Sequence, residues 1–143
     1  MSGCRTGAPL SVRLFVSQFP QDASAAVGRA DQGGDFPLHS CCEGGHEEVL
    51  SILTSVRPAP VIDVQDARGG TPFLRAVAHG HVSLACRLID LGADPTRKDK
   101  DAKDAIDLVP QSLPAESRML LYDKLLSSGM WYMILLWLMQ LMV

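Results

Sequence analysis

The sequence predicts an all-α fold, a solenoid in which short helix-turn-helix hairpins stack side by side and are joined by finger-like turns. Three observations predict it: an internal repeat of 35 residues, two apolar patterns of helical period in each repeat, and glycines that divide and end those patterns. The 143 residues are 47% hydrophobic. A chain of this size forms one domain that buries about two thirds of the surface exposed by its unfolded state.

The repeat is visible when the chain is aligned with itself. The segment DFPLHSCCEGGHEEVLSIL, Asp35 to Leu53, aligns with GTPFLRAVAHGHVSLACRL, Gly70 to Leu88. In this alignment Pro37 meets Pro72 and every matched pair is 35 residues apart. A fixed period of this length is typical of a stacked repeat architecture.

Two weaker copies flank this pair. Asp31, Asp66 and Asp99 each stand six residues before the first position of an expected helix, so three turns share one layout. The copy that begins at Asp99 is degraded. The apolar segment Leu10–Val16 is expected to form the second helix of a leading, incomplete unit.

The clearest copy contains two short amphipathic helices. Phe73, Ala76 and Val77 recur at i, i+3 and i+4, which places them on one face of a helix, and Leu84 and Leu88 do the same in the second pattern. Neither helix exceeds about three turns, so neither is expected to be stable alone in water. Stacking against neighbouring hairpins must supply the stability.

Local signals place the ends of these helices. The hydroxyl of Thr71 can cap free amides, and Pro72 at the first helical position gives up a donor that has no partner there. Gly80 and Gly92 can adopt the left-handed conformation that ends a helix.

These residues resemble the ankyrin-repeat family, whose pattern is a turn, then G-x-T-P-L-H-x-A-A, then G-H, then a helix ending L-L-x-x-G-A-D. GGTPFLRAVAHGH and CRLIDLGAD follow this pattern nearly throughout, and the copy from Asp35 to Leu53 follows it well. The resemblance covers roughly residues 10–127. It also implies that His46 and His81, after the turn glycine, make a local hydrogen bond.

Three positions depart from the family pattern. Leu74 replaces the family's His, Phe36 replaces its Thr, and Ala105 replaces its Pro, which puts the hydrogen bonds of those side chains in doubt. A longer loop is expected where Pro58 and Pro60 exclude regular helix.

The resemblance implies a noncatalytic protein-binding scaffold, expected to be a cytoplasmic monomer that uses its turns and the exposed side of its first helices. Residues not needed for stacking are free to vary on such a surface. Ordinary solvation is the alternative explanation for each of these charges, because most exposed charges contribute little binding energy. The candidate partner-binding residues are Asp66, Arg68, Lys98, Asp99, Lys100 and Asp101 at the turn tips, and Glu43, Arg75 and His79 on first helices.

Composition argues against two other classes of protein. The net charge of −3 leaves no excess of Lys and Arg to neutralise phosphates, so no nucleic-acid partner is expected. The four cysteines show no C-x-x-C spacing, and no secretory signal peptide is visible, which favours a reducing, cytosolic setting.

A metal site or a thiol-enzyme site is an alternative to the protein-binding scaffold. His39, Cys41, Cys42 and His46 fall within eight positions, and His79, His81 and Cys86 follow one repeat later. Adjacent helical residues point about 100° apart, so Cys41 and Cys42 cannot readily bind one ion. Both occupy small-residue sites of the repeat, where a buried Cys behaves as a small hydrophobe. No cofactor, metal or catalytic residue is therefore expected.

The end of the repeat region is expected at residue 128. Arg118–Ser127 is interpreted as the second helix of the last repeat, with Leu120, Leu121, Leu125 and Leu126 turned inward. The predicted organisation is a tail over 1–9, an ankyrin-repeat domain over 10–128, and a hydrophobic C-terminal helix over 129–143.

That C-terminal segment has three interpretations. Met130–Val143 is apolar on all sides except at Gln140, and its 14 residues span about 21 Å as a helix, whereas the hydrocarbon core of a bilayer is roughly 30 Å thick. A stretch from Leu125 to Val143 would reach about 28 Å. The segment is a marginal membrane anchor or part of a longer span, an apolar strap over the last repeat or a partner, or a non-native end from altered splicing or a wrong gene model.

Overall fold

The computed structural model of the chain describes residues 9–56 and 62–129, together with residues 131, 135, 138, 139 and 142. Within these residues the regular secondary structure is helical. The helices run in the order α1 Pro9–Gln18, α2 Pro20–Val27, α3 Pro37–Gly44, α4 Glu47–Val56, α5 Pro72–Ala78, α6 Val82–Asp90, α7 Ala105–Leu108 and α8 Ala115–Ser127. This arrangement confirms the predicted all-α class.

The helices form two layers. The first helices of the hairpins, α3, α5 and α7, pack side by side in one layer. In the other layer α1 packs against α4, α6 packs against α8, and the Arg87 guanidinium on α6 donates to the Ser51 hydroxyl on α4 at 2.8 Å. Each hairpin therefore contacts the next through both of its helices, as the stacking argument requires.

The hairpin α5–α6 has the ends that the sequence predicts. The Thr71 hydroxyl accepts a hydrogen bond from the Leu74 amide at 3.3 Å, and Pro72 is the first helical residue. The helix stops at Ala78, and Gly80 follows with a φ of +78°. Gly45 has a φ of +73° at the same place in the preceding hairpin.

The finger-like turns are built by one repeated carboxylate. Asp31, Asp66 and Asp99 each accept hydrogen bonds from the amides two and four residues later, at 2.7 to 3.0 Å. In each turn the aspartate amide also donates to the carbonyl four residues later, at 2.9 to 3.1 Å. The common spacing of these residues in the sequence thus reflects one local structure.

A continuous apolar core runs between the layers. Phe73 is its largest completely buried side chain, and both Cys41 and Cys42 are fully buried in it. The expectation that these cysteines act as small hydrophobes is confirmed. The three cysteines in the described part of the chain, Cys41, Cys42 and Cys86, are all free thiols.

The leading unit is more elaborate than the sequence indicates. As expected, the helix that contains Leu10–Val16 lies in the second-helix layer. A further short helix, α2, then begins at Pro20 and packs against both α3 and α4. Helix α2 was not predicted from the sequence.

The last unit corrects one prediction. Helix α8 begins at Ala115, three residues earlier than expected, directly after Pro114. Leu121 and Leu125 are completely buried and Leu126 is partly buried against the core, but Leu120 is 56% exposed. The inward orientation predicted for Leu120 is wrong, because neighbouring positions on a helix point about 100° apart and Leu121 already faces the core.

The C-terminal segment is described at five positions. The exposed fraction of these side chains ranges from 47% to 88%, in Trp131, Leu135, Leu138, Met139 and Met142. Among the described residues, no helix is both long enough and apolar enough to cross a bilayer. The other positions of Met130–Val143, and the expected loop at Pro58 and Pro60, lie outside the described residues, so the interpretations of this segment remain predictions.

Candidate functional site

A polar groove runs along the first helices and the adjoining turns. We call it the first-helix groove. Helices α3 and α5 supply one wall, and the turns at Asp31 and Asp66 supply the other. Its lining residues are Gly33, Asp35, Ser40, Glu43, Asp66, Ala67, Arg68, Arg75 and His79.

An ion pair between Arg75 and Asp66 forms the base of the groove. Nε and one Nη of Arg75 donate to the same Asp66 oxygen at 2.9 and 2.7 Å, and the Asp66 side chain is 1% exposed. Burial alone would raise the pKa of Asp66. The hydrogen bonds from Arg75 and from the amides of Gly70 and Arg68 outweigh burial and hold this pKa below its ordinary value, so Asp66 stays ionised.

Two further carboxylates contact the same guanidinium from the solvent side. Arg75 donates to Asp35 at 3.2 Å and pairs with Glu43 at 3.5 Å, and their side chains are 30% and 51% exposed. His79 Nδ1 bonds to the Arg75 carbonyl at 3.0 Å, and its Nε2 lies 3.8 Å from Glu43. The charged side chains of the groove are therefore held in one connected set.

Two histidines connect α3 to the following repeat. His39 donates from Nε2 to the carbonyl of Gly70 at 2.9 Å, and its Nδ1 accepts the Phe36 amide at 3.2 Å. His81 donates to the carbonyl of Glu43 at 3.0 Å. Both bonds between residues of different repeats tie α3 to the following unit.

The protonation state of His39 follows from its burial. Its side chain is almost completely buried, and burial lowers its pKa below the ordinary value even though the Gly70 carbonyl and nearby carboxylates act in the opposite direction. Nδ1 of His39 can accept the Phe36 amide only while the ring is neutral. The equivalent position in the next unit is Leu74, which is buried and carries no polar group.

The following turn carries four charged side chains, and two of them, Lys98 and Lys100, are exposed but have polar partners. Lys100 donates from Nζ to the Ala67 carbonyl at 2.7 Å, and Lys98 lies 3.6 Å from Asp104. Asp99 is half-buried and holds its own turn, whereas Asp101 is exposed.

The candidate residues thus divide into two groups. Five of them line the first-helix groove, and four belong to the next turn; the groove members are Glu43, Asp66, Arg68, Arg75 and His79. The expected exposure of Asp66 is wrong, because its carboxylate is consumed by Arg75 and by its own turn. Asp35 is not among the residues predicted from the sequence, although it aligns with Gly70 and is therefore a side chain that the next repeat lacks.

The cysteine and histidine side chains that are close in the sequence do not form a metal-binding group in the structure. Within the described ranges, His, Cys, Asp and Glu side chains form no group of three placed to hold a metal ion. The Cys41 thiol donates to the His46 carbonyl at 3.1 Å, and burial raises the pKa of the Cys42 thiol well above its ordinary value. A buried thiol that resists ionisation is a poor nucleophile.

Comparison with known proteins agrees with this architecture. Residues 2–99 match a family model described as ankyrin repeats in three copies. The hairpin α7–α8 lies beyond the matched residues and continues the same stack.

Several curated proteins are similar to parts of the chain. It is 31% identical over 94 residues to the probable 26S proteasome regulatory subunit p28 of Saccharomyces cerevisiae, covering 65% of this chain and 41% of that protein. It is 30% identical over 86 residues to Protein HOS4 of the same yeast, covering 58% of this chain and 8% of that protein. It is 34% identical over 61 residues to ankyrin repeat family A protein 2 of Homo sapiens, covering 43% of this chain and 20% of that protein.

These matches span less than half the length of each relative. Ankyrin repeats are protein-interaction modules, and proteins built from them are in general noncatalytic. With the family model matching more than half of its length, the chain belongs to the ankyrin-repeat family.

Proposed function

We propose that this protein is a noncatalytic scaffold that binds a protein partner through the first-helix groove and the neighbouring turn tips. One observation carries the proposal: the buried Asp66–Arg75 pair orders a set of charged side chains whose outer members are open to solvent. Charged groups held in place before binding lose less entropy when a partner arrives.

The groove residues have two kinds of role in this proposal. Glu43, Arg68 and His79 are exposed and would contact the partner directly. Asp66 and Arg75 are positioning residues, since they hold the carboxylates of the groove in place. Lys98, Lys100 and Asp101 extend the surface onto the next turn, while Asp99 shapes that turn.

The proposed setting is the cytosol, with the chain acting as a monomer. The three free cysteines in the described ranges fit a reducing compartment. Analytical ultracentrifugation of the purified chain tests the monomer, and a concentration-independent dimer would contradict it.

Site-specific photo-crosslinking tests the binding surface. A benzophenone amino acid replaces His79 in the groove, and in a matched variant it replaces Glu48, an exposed residue on α4 outside the groove. The proposal expects a discrete protein adduct from position 79 that is missing from position 48. The same adducts from both positions, or none from position 79, would refute the assignment.

A further inference from the structure

We infer that the first-helix groove receives a partner segment that carries a cationic side chain next to an apolar one. This inference rests on the proposed function and names the chemistry of the partner. It follows from which hydrogen-bonding groups of the groove are already used, and from a second cavity beside it.

The donors of Arg75, at the base of the groove, are largely engaged by carboxylates of the chain itself. Arg75 directs Nε and one Nη to Asp66, shares that Nη with Asp35, and turns its other Nη toward Glu43. A guanidinium has five N–H donors, and this one is only 19% exposed. An acidic partner would have to displace the chain's own carboxylates to reach Arg75.

The acceptors of the groove retain capacity. An ionised carboxylate offers about four lone-pair sites, and Asp35 and Glu43 each give Arg75 a single contact through one oxygen. Both side chains remain accessible to solvent. The other Glu43 oxygen lies 3.8 Å from His79 Nε2, which is beyond hydrogen-bond distance. The part of the groove around Arg75 can therefore accept new N–H donors more readily than it can supply them, and Arg68 at the turn tip is an exposed donor of the groove.

The net charge of the groove also favours a cationic partner. Three carboxylates line it against two guanidinium groups, and the buried Asp66 already neutralises Arg75. The remaining pair, Asp35 and Glu43, faces the single exposed guanidinium of Arg68 at the turn tip. A cationic side chain would form charge-assisted hydrogen bonds there, which are stronger than neutral ones.

A second cavity continues the groove toward the last unit. It shares four lining residues with the first-helix groove, Asp66, Arg68, Arg75 and His79, and its other lining residues are Gly70, Leu74, Ala78, Asp99 and Leu108. Leu74, Ala78 and Leu108 supply its apolar part. Because the two cavities share a wall, one extended segment can place a basic side chain against Glu43 and an apolar side chain against Ala78. Polar and apolar contacts of this kind are the usual combination in peptide grooves.

Peptide selection tests this inference directly. A bead-displayed library of random dodecapeptides is selected on the full-length chain, and the enriched peptides are synthesised for affinity measurements. The same peptides are measured on Glu43→Lys, and on Glu48→Lys, which makes the same charge change on an exposed residue outside the groove. Circular dichroism verifies that both variants fold, and Glu43→Gln replaces Glu43→Lys if the latter does not.

The expected peptides are enriched in Lys or Arg beside an apolar residue. Glu43→Lys should weaken them about tenfold or more, because it removes an acceptor of a charged hydrogen bond, while Glu48→Lys changes the Kd less than about twofold. Acidic or uncharged peptides that still depend on Glu43 would overturn the inferred partner chemistry and leave groove binding standing. Failure to select any peptide, or equal binding by all variants, would overturn both.

Discussion

Asp66 and Arg75 are nine residues apart and belong to a turn and a helix, yet two nitrogens of Arg75 donate to one oxygen of Asp66 at 2.9 and 2.7 Å. The other Asp66 oxygen accepts the amides of Arg68 and Gly70. One buried carboxylate therefore closes the turn and orients the guanidinium that organises the groove. The conformation of the turn and the charge of the groove are coupled through this residue.

The first prediction concerns that coupling. Asp66→Asn should lower the free energy of unfolding by about 2–4 kcal/mol, since the neutral amide loses the two charged hydrogen bonds from Arg75 on the buried side of the guanidinium. Asp99→Asn changes the equivalent turn residue, which accepts the same two amides, and should cost about 1 kcal/mol. Urea denaturation of both variants measures the difference, and equal losses would show that Arg75 contributes nothing to the stability of the Asp66 turn.

The second prediction is a dependence of stability on pH that originates at His39. Its pKa in the folded state is lower than the ordinary value of 6.5, so protonation is penalised in the folded state but not in the unfolded chain. The contribution of His39 is complete above that value and is lost as the pH falls below it. Urea denaturation between about pH 7 and pH 5 should show this decline.

A variant that cannot titrate tests whether His39 causes this decline in stability. His39→Gln keeps a donor for the Gly70 carbonyl but does not titrate, so its stability should change less over the same interval. A decline as steep as that of the unaltered chain would locate the pH dependence elsewhere.

The third prediction concerns a strained turn. Gly34 and Gly69 have φ values of +80° and +76° at the fourth position of their turns, and Ala102 has a φ of +59° at the same position of the last turn. Only glycine adopts this region without a steric penalty. Ala102→Gly should therefore raise the free energy of unfolding by about 0.5–1 kcal/mol, because the relief of strain exceeds the added entropy of the unfolded chain.

Thermal denaturation measures this change. Gly92→Ala is a suitable counterpart, because Gly92 has a φ of +95° and a Cβ there would meet no neighbouring atom. It isolates the backbone strain and should lower the melting temperature. A lower melting temperature for Ala102→Gly as well would contradict the strain argument.

The fourth prediction separates packing from chemistry at Cys42. The completely buried thiol makes this residue a small hydrophobe, so Cys42→Ala should cost about 1–2 kcal/mol for the lost contacts. Cys42→Ser should cost about 1 kcal/mol more, because its hydroxyl must lose water in an apolar site. Denaturant titration of the two variants checks the order, and a serine variant as stable as the native chain would contradict the packing interpretation.

Local signals in the sequence were sufficient to predict the hairpins and the ends of helix α5. The cap at Thr71 and the glycine after α5 depend on residues within a few positions, so the pattern alone located them correctly. The direction of Leu120 was missed because an all-apolar stretch does not reveal which of two adjacent leucines faces the core. Helix α2 was missed because it has no counterpart in the repeat pattern.

The arrangement of the candidate site was harder to predict, because it depends on contacts between residues far apart in the sequence. The charged residues of the groove could be named from the repeat, because positions outside the stacking pattern are recognisable. The burial of Asp66 could not, since it depends on Arg75 reaching back to the turn. Asp35 contacts Arg75 across 40 residues; the repeat aligns Asp35 with Gly70 but does not show that its side chain reaches Arg75.

Stability through stacking is the central claim, and the helix content of an isolated hairpin tests it most directly. Circular dichroism of a synthetic peptide spanning Gly69–Asp94 is compared with the signal that α5 and α6 contribute to the full chain. A largely unfolded peptide is expected, because two helices of 7 and 9 residues cannot offset the cost of nucleation alone. A peptide with the helix content of the intact protein would show that the hairpin needs no neighbours and would contradict the account.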